Sequence, residues 1–241
     1  MGQYFEFVKN DTITVEGHIL HRIRCTRDCK WAKKGEFGGY IEEFENLFGD
    51  AWVCGDAQVY GNARVFGNAR VCGDAWVCGN AQVFGNARVF GDAWVYGDAQ
   101  VCGNAQVFGN ARVFGDAQVC GDARVFGNAQ VYGNAQVSGN AWVYGDAQVY
   151  GDAQVSGDAQ VCGDARIDCI KAHCGFDVFG SYGRHTHAYI TAENKIEITC
   201  GCFRGSIEEF EAKVRKTHGD NQYAHEYLAI IYLIKIKFGL V

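Results

Sequence analysis

The chain has 241 residues, a formal net charge of −6, and hydrophobic residues at 48% of its positions. This mild acidity argues against nucleic acid as a partner, because phosphate binding needs a basic surface. No apolar run approaches the ~20 residues of a membrane-spanning helix, and the N-terminus lacks the charged and then apolar layout of a secretory signal. We therefore expect a cytoplasmic protein that binds neither nucleic acid nor a membrane.

Residues 1–48 are predicted to form a small N-terminal β cap. Residues 4–8 have the composition of a strand and residues 10–11 that of a turn. Residues 13–16 and 19–24 alternate with period two, which predicts a hairpin. A cap is expected here because an uncovered stack of strands invites edge-to-edge association.

The twelve cysteines predict neither a metal site nor a disulfide framework. Six of them occupy the last position of a repeat unit, where Phe and Tyr also occur, and there they behave as small apolar residues. Cys25 and Cys29 have a metal-like spacing, but a second close pair, Cys200 and Cys202, lies beyond the whole repeat region. Because structural zinc usually needs four ligands, we expect no metal, and without an export signal we expect reduced thiols.

Residues 49–168 are twenty consecutive six-residue units without insertion or deletion. Each unit reads Gly-[Asp/Asn]-Ala-x-Val-y, with Ile167 as the single exception at the Val position. A six-residue period is typical of a parallel β-helix. Alternation along the strand Ala-x-Val-y places Ala and Val on one face. This face must point inward, because the Gln, Arg and Trp found at x cannot line a narrow core. Gly with Asp or Asn then forms each corner.

Three units are expected to complete one coil of 18 residues. Steps of that length through the outward positions collect like residues into columns, as strands stacked ~4.8 Å apart would. One column of y residues contains Tyr60, Cys78, Tyr96, Phe114, Tyr132 and Tyr150. A second contains Cys54, Cys72, Phe90, Phe108, Phe126, Tyr144 and Cys162. A third contains Phe66, Phe84, Cys102, Cys120, Ser138 and Ser156. Beside the third, the x positions form a ladder of Gln82, Gln100, Gln118, Gln136 and Gln154.

Residues 169–241 are predicted to form a C-terminal α+β cap. Residues 189–191 and 196–199 predict a β-hairpin. The sequence Ser-Ile-Glu-Glu at residues 206–209 is a capping box and predicts the start of a helix. A second helix follows, so the cap ends in a helical hairpin. The residues expected to point inward from the second helix are Tyr223, Tyr227, Leu228, Ile231, Ile234 and Phe238.

The segment Arg184-His185-Thr186-His187, after the glycine-rich residues 180–183, is the candidate binding site. In a strand, His185 and His187 point to the same side and offer a metal pair. Arg184 beside a glycine-rich approach offers an anion site instead. Isolated His pairs are commonly structural or surface residues. We predict a ligand site at Arg184, His185 and His187, with no catalytic residue, no metal and no cofactor.

The repeat carries a family resemblance. Read from its Val, the unit Val-y-Gly-Asp-Ala-x resembles the hexapeptide repeat of left-handed parallel β-helix proteins. The whole chain resembles a subgroup common in phages and prophages and loosely labelled hexapeptide-repeat or polymer-forming. The Lys-Gly-Glu-x-Gly-Gly-Tyr-Ile segment at residues 34–41 and the Gly-Cys-Phe-x-Gly segment at residues 201–205 carry this likeness. The resemblance implies a left-handed coil, against the usual right-handed preference, and a place in the host cytosol if a phage encodes the chain.

The resemblance also implies a comparison with the enzymes of this fold. The best-known enzymes of this fold, acyltransferases and a class of carbonic anhydrase, place His residues on the coils. Here no His occurs between residues 22 and 172, and no loop projects from the coils. The corner Asp alternates with Asn, so it serves turn geometry rather than acid–base chemistry. An acyltransferase-like enzyme therefore stays an alternative only, and a non-enzymatic role is preferred.

The outward aromatic residues carry the functional prediction. Trp52, Trp76, Trp94 and Trp142 add indoles to the columns, and soluble monomers rarely expose large apolar patches. We expect a phage-type scaffold or binding protein that forms a dimer or trimer through its flat sides. One alternative is that the stacked rings only shield one another and need no partner. Another is that the protein sequesters a small anionic metabolite or nucleotide. The predicted face consists of Tyr60, Tyr96, Phe114, Tyr132, Tyr150, Phe90, Phe108 and Phe126.

In fold class, the sequence predicts an all-β protein with small α+β caps. Its centre is a three-sided left-handed parallel β-helix at residues 49–168, between the caps at residues 1–48 and 169–241.

Overall fold

The computed structural model describes residues 4–241. It confirms a mostly β protein, a parallel β-solenoid of about seven turns with an 18-residue spacing. Strands are numbered β1–β27 and helices α1 and α2 in chain order. The tyrosine face comprises β5 (Gln58–Val59), β8 (Trp76–Val77), β11 (Trp94–Val95), β14 (Arg112–Val113), β17 (Gln130–Val131), β20 (Gln148–Val149) and β23 (Arg166–Ile167).

Two further faces close the triangle. The phenylalanine face comprises β4 (Trp52–Val53), β7 (Arg70–Val71), β10 (Arg88–Gly91), β13 (Gln106–Gly109), β16 (Arg124–Val125), β19 (Trp142–Val143) and β22 (Gln160–Val161). The glutamine face comprises β6 (Arg64–Val65), β9 (Gln82–Val83), β12 (Gln100–Val101), β15 (Gln118–Val119), β18 (Gln136–Val137) and β21 (Gln154–Val155). The handedness of the coil stays a prediction from the resemblance.

The core of the solenoid consists of the repeated Ala and Val side chains. Nearly all of them are fully buried, and only Ala159 shows as much as 3% exposure. Consecutive coils are joined by parallel backbone hydrogen bonds, for example from the Gln58 amide to the Ala75 carbonyl at 2.9 Å and from the Tyr60 amide to the Val77 carbonyl at 3.1 Å. The inward and outward assignment made from the repeat is therefore confirmed, since small residues alone fit between three closely spaced sheets.

The corner Asn residues form hydrogen-bonded ladders along the solenoid axis. The Asn68 side-chain amide donates to the Asn86 oxygen at 3.2 Å, and Asn86 donates to Asn104 at 3.0 Å. Asn104 then donates to the Asp122 carboxylate at 2.9 Å. An ionised carboxylate only accepts, so this ladder ends at Asp122.

The predicted columns are confirmed by the strand register. Phe90 pairs with Phe108, Trp94 with Trp76, and so on through each face at 18-residue steps. Rings one coil apart stack with centroids 4.8–5.1 Å apart along the columns Phe90–Phe108–Phe126–Tyr144 and Tyr96–Phe114–Tyr132–Tyr150. Their planes differ by only 1° to 8°. Adjacent coils are thus hardly rotated, and the faces are flat.

The N-terminal segment is a hairpin that joins the tyrosine face. Strand β1 (Phe5–Val15) pairs antiparallel with β2 (His18–Cys25), which pairs with β3 (Phe37–Ile41), and β3 is parallel to β5. A short 3₁₀ helix, Phe44–Asn46, precedes the first coil. The turn predicted at residues 10–11 is wrong: β1 continues through it with an irregular register, and Asn10 has a φ of 64°. Asn tolerates this left-handed conformation inside a bulge.

The hairpin covers two side chains that the repeat alone places outside. Trp52 is 2% exposed, and its ring lies 6.2 Å from that of Tyr4. Tyr60 is 3% exposed and packs with Leu20 and Tyr40. Both were predicted to point outward. They do leave the coil in that direction, but the same chain folds over them.

The C-terminal segment is an antiparallel sheet with two helices. Its strands are β24 (His173–Phe179), β25 (Arg184–Ile190), β26 (Ile196–Cys200) and β27 (Phe203–Gly205), followed by α1 (Ile207–His218) and α2 (Gln222–Lys237). The predicted hairpin is confirmed, since Ile190 pairs with Ile196. The Ser206 capping box is also present.

The inward face of α2 is partly as predicted. Tyr227, Ile231 and Ile234 are buried, as expected, whereas Tyr223 is 41% exposed. Ile230 takes part in the core instead, because α2 packs against both α1 and β24 and needs a wider apolar stripe.

One pair of cysteines is oxidised, against the expectation of reduced thiols. Cys54 and Cys72 form a disulfide across adjacent coils, with their Cα atoms 4.6 Å apart. In-register residues on neighbouring parallel strands meet the distance that a disulfide needs. Cys102 and Cys120 have the same 18-residue relation on the glutamine face but are free thiols.

Candidate functional site

The predicted residues His185 and His187 lie on the face of β25 that packs on the end of the solenoid. Strand β24 adds two residues that the sequence analysis missed, His173 and Asp177. The ring centroids of His173 and His185 lie 5.1 Å and 5.7 Å from that of His187. Gly175 leaves room for the His185 ring, since a Cβ there would lie 2.6 Å from a carbon of that ring. The result is a cluster of three imidazoles, the His cluster.

The hydrogen bonds of the His cluster fix its tautomers. His187 Nδ1 lies 3.1 Å from the Gln160 carbonyl oxygen, so Nδ1 carries the proton and donates it. His187 Nε2 then accepts from His173 Nδ1 at 2.9 Å. His173 Nε2 is buried and makes no hydrogen bond of ordinary geometry among the described residues, but the Gln154 backbone lies close enough to oppose the lowering of the His173 pKa by burial.

Burial keeps this chain of imidazoles neutral. Burial, and after it the charge of a protonated His173, lowers the pKa of His187 to about 3. Burial also lowers the pKa of His173. Neither ring therefore offers a positive charge to an anion near neutral pH.

The contacts of His187 show a structural task. Gln160 lies on β22, the last strand of the phenylalanine face, so its carbonyl has no further coil to bond. His187 Nδ1 and Thr199 Oγ1, at 3.1 Å and 3.3 Å, both donate to this carbonyl. The Tyr189 hydroxyl donates its proton to the Glu197 carboxylate and lies 3.2 Å from the Cys162 sulfur of the last coil. Side chains of the C-terminal sheet thus satisfy the open end of the ladder.

His185 differs from the other two imidazoles because it is paired with a carboxylate. Its Nδ1 lies 2.6 Å from Asp177 Oδ1, and its Nε2 is buried without a hydrogen-bond partner in residues 4–241. A carboxylate that holds Nδ1–H leaves Nε2 free to accept a proton, which is the arrangement of a base with its orienting group.

Arg184 does not join the His cluster. Alternation along β25 turns it to the opposite side of the sheet, where it lines a cavity of about 160 Å³ together with Tyr182, Cys200 and Tyr227. Its guanidinium carbon lies 4.9 Å above the Tyr182 ring. The three residues predicted as one ligand site are therefore brought to two separate places.

The cysteine and histidine pairs considered as metal ligands lie in different parts of the structure. The thiols of Cys25 and Cys29 are 4.0 Å apart near the N-terminal hairpin. Across residues 4–241, no three His, Cys, Asp or Glu side chains are grouped so that they could hold one metal ion.

The outer aromatic columns are the other predicted site. Their rings are half-buried by one another, and the indoles of Trp94 and Trp142 are each 37% exposed. A guanidinium covers each of these indoles from one side, Arg112 over Trp94 and Arg124 over Trp142, both at 5.1 Å. Of the eight residues predicted for an association face, Tyr60 is covered by the hairpin, and the other seven stay on the surface.

Comparisons with known proteins agree with this architecture. The model of the YdcK β-solenoid repeat matches residues 57–73, 63–79, 81–97, 105–117, 117–133, 129–145, 135–151 and 147–163. These matches fall within the coils, and together with the parallel strands they define a β-solenoid repeat protein. No curated protein matches the chain. Neither helix in the described part is both long and apolar enough to cross a membrane.

Proposed function

We propose that this chain is a non-catalytic scaffold that self-associates through the tyrosine face of its solenoid. The observation that carries the proposal is a pair of aromatic stacks side by side. Trp76 and Trp94 stack at 4.8 Å, and the column from Tyr96 to Tyr150 runs beside them. Such aromatic area contributes most to an interface when a second flat surface covers it.

The flatness of the face supports association with a second copy. The nearly parallel ring planes mean that one solenoid side offers matching relief to another across several coils. A symmetric pair or triplet of chains would bury the stacks on every copy at once. The phage setting belongs to the same proposal and rests on the resemblance at residues 34–41 and 201–205, whereas the Cys54–Cys72 disulfide argues against a reducing cytoplasm.

The test uses two matched variants. Trp94→Gln and Trp142→Gln each remove an equally exposed indole, from the tyrosine face and the phenylalanine face respectively. Gln is native at the same repeat position of many coils, so both variants retain the fold. We expect the wild-type chain to be a dimer or trimer in light scattering after gel filtration at micromolar concentration. Trp94→Gln should shift it towards the monomer, and Trp142→Gln should not.

Two results would contradict the proposal. A wild-type chain that stays monomeric at micromolar concentration would exclude assembly under those conditions. An oligomer weakened by Trp142→Gln alone would assign the interface to the phenylalanine face. Binding of an anion at Arg184, His185 and His187 together is not favoured, because Arg184 lies on the other side of β25 and burial keeps His187 neutral. An acyltransferase-like activity is not favoured either, because the Nε2 of His185, whose Nδ1 is paired with the Asp177 carboxylate, is buried.

A further inference from the structure

A cluster of cationic and aromatic side chains lies on the phenylalanine face, beneath the loop between β2 and β3. Trp31 of that loop lies over Arg70 and Arg88, whose guanidinium carbons are 5.0 Å and 6.0 Å from its ring centroid. Lys30 Nζ lies 4.7 Å from the same centroid. Arg70 and Arg88 are direct register partners on β7 and β10. Three cations therefore surround one indole.

These charges lack acidic compensation. In the part of the chain that the structure describes, neither Lys30 nor Arg70 nor Arg88 forms a salt bridge. Cations about one strand spacing apart repel one another, and the face of an indole offsets this only in part. The cluster is arranged to receive a negative charge.

Unused hydrogen-bond donors point the same way. Arg70 Nε and Trp31 Nε1 are both buried and have no acceptor among the described residues. Among residues 4–241, the hydrogen bond of Arg70 Nη2 to a side chain is to the Cys54 sulfur at 3.7 Å, and sulfur is a weak acceptor. An unsatisfied buried donor is costly, so the cluster is missing acceptors as well as negative charge.

A cavity of about 280 Å³ opens at this place. Its lining consists of Arg70, Cys72, Arg88, Val89 and Phe90. Two guanidinium groups form one side, and the Phe90 ring gives the cavity an apolar wall. The volume is at the small end of ligand pockets, which suits a ligand with a single charged group.

We propose that this cavity binds a small phosphate monoester, with the phosphate between Arg70 and Arg88 and the organic part against Phe90. A carboxylate has two oxygens, and one guanidinium can donate a hydrogen bond to each of them. A phosphate group has three terminal acceptor oxygens and can accept hydrogen bonds from both guanidinium groups at once. The site is on a different face from the proposed association surface and does not depend on it.

The experiment is isothermal titration calorimetry on the full-length chain at low ionic strength, with phenyl phosphate, inorganic phosphate and benzoate as probes. Phenyl phosphate is expected to bind most tightly, because it supplies both the dianion and a ring for Phe90. Arg70→Gln and Arg88→Gln should each weaken its binding at least tenfold. Gln106 is the direct register partner of Arg88 in the next coil, so Arg88→Gln keeps the fold.

Arg64→Gln is the matched control. It makes the same charge change at the same repeat position but lies on the glutamine face, and it should leave the affinity within twofold of wild type. Equal losses in Arg64→Gln and Arg88→Gln would show unspecific attraction and overturn the proposal. So would the absence of phosphate binding to the wild type, or tighter binding of benzoate than of phenyl phosphate. Arg88 is exposed, so Arg88→Gln decides the matter if Arg70→Gln folds poorly.

Discussion

Two corner glycines provide a test of why this solenoid needs Gly at every corner. Gly103 and Gly157 have nearly the same backbone conformation, with φ of +68° and +66°. They differ in what surrounds them. A Cβ on Gly103 would lie 2.9 Å from both the amide nitrogen and the carbonyl oxygen of Gly121 in the next coil. A Cβ on Gly157, in the last coil, would meet nothing within 4 Å.

The difference sets the expected magnitudes. Alanine in a left-handed conformation costs about 1–2 kcal/mol, so Gly157→Ala should lower the free energy of unfolding by about that amount. Gly103→Ala carries the same cost and must also push apart two backbone strands that hydrogen bonds hold together. Overpacking of this kind adds roughly 1–3 kcal/mol. The total loss for Gly103→Ala is then about 2–5 kcal/mol.

The measurement is equilibrium unfolding in guanidinium chloride, followed by far-ultraviolet circular dichroism. The end coil of a repeat protein can unfold separately, so Val155→Ala and Val101→Ala are compared first. Both side chains are fully buried, and equal losses would show that the last coil unfolds with the middle. With that established, equal losses for Gly103→Ala and Gly157→Ala would refute the argument that the neighbouring coil's backbone demands glycine.

Two further predictions concern the ends of the solenoid. Cys54→Ser should lower the unfolding free energy by about 3 kcal/mol, because the disulfide closes a loop of 18 residues. In the presence of reductant, Cys54→Ser and the wild type should have the same unfolding free energy. Cys102→Ser should lower the unfolding free energy little under either condition. If Cys54→Ser stays less stable than the wild type in reductant, the disulfide is not the cause of the loss. His187→Asn keeps a donor for Gln160 but cannot titrate. Since an unfolded His titrates near pH 6.5 and burial lowers the pKa of His187 to about 3, the unfolded state binds more protons in between, and stability falls as the pH falls through that window. The variant should show a shallower fall in urea unfolding at pH 3–6.5, and an unchanged slope would exclude His187 as the source.

The repeat made the solenoid predictable because its information is local. Ala and Val must point inward because the Gln, Arg and Trp residues at position x are too large or too polar for the core. The columns follow from counting in steps of 18 residues. Both depend only on steric size and strand periodicity. The capping box at Ser206 is equally local, so the start of α1 was predicted as well.

Several of the features that were missed depend on contacts between distant parts of the chain. Nothing in the repeat shows that a hairpin folds over Trp52 and Tyr60. The strand containing His173 and Asp177 lacks a clear alternating pattern, since Gly175 interrupts it, and without that strand the His cluster could not be found.

The separation of Arg184 from the two histidines was within reach of the sequence. Neighbouring residues of a strand point to opposite faces, so Arg184 and His185 cannot share a site once the segment is read as a strand. A prediction of the disulfide between Cys54 and Cys72 needs two steps. The repeat places both residues in one column, and the spacing of stacked strands must then be compared with disulfide geometry.

The uniform core has a consequence for how the chain finds its native alignment. Because every coil presents the same buried Ala and Val, a strand that docked one coil too early or too late would fill the interior equally well. Such near-degenerate alignments are the source of kinetic traps. The buried core alone cannot break this degeneracy. It is broken by the outward side chains, whose like residues line up in columns and include the Cys54–Cys72 disulfide, and by the ends, where the hairpin lies over Trp52 and where His187 and Tyr189 contact the last coil. The ends therefore add reference points that select one alignment from many, and their loss should raise the share of misregistered coils.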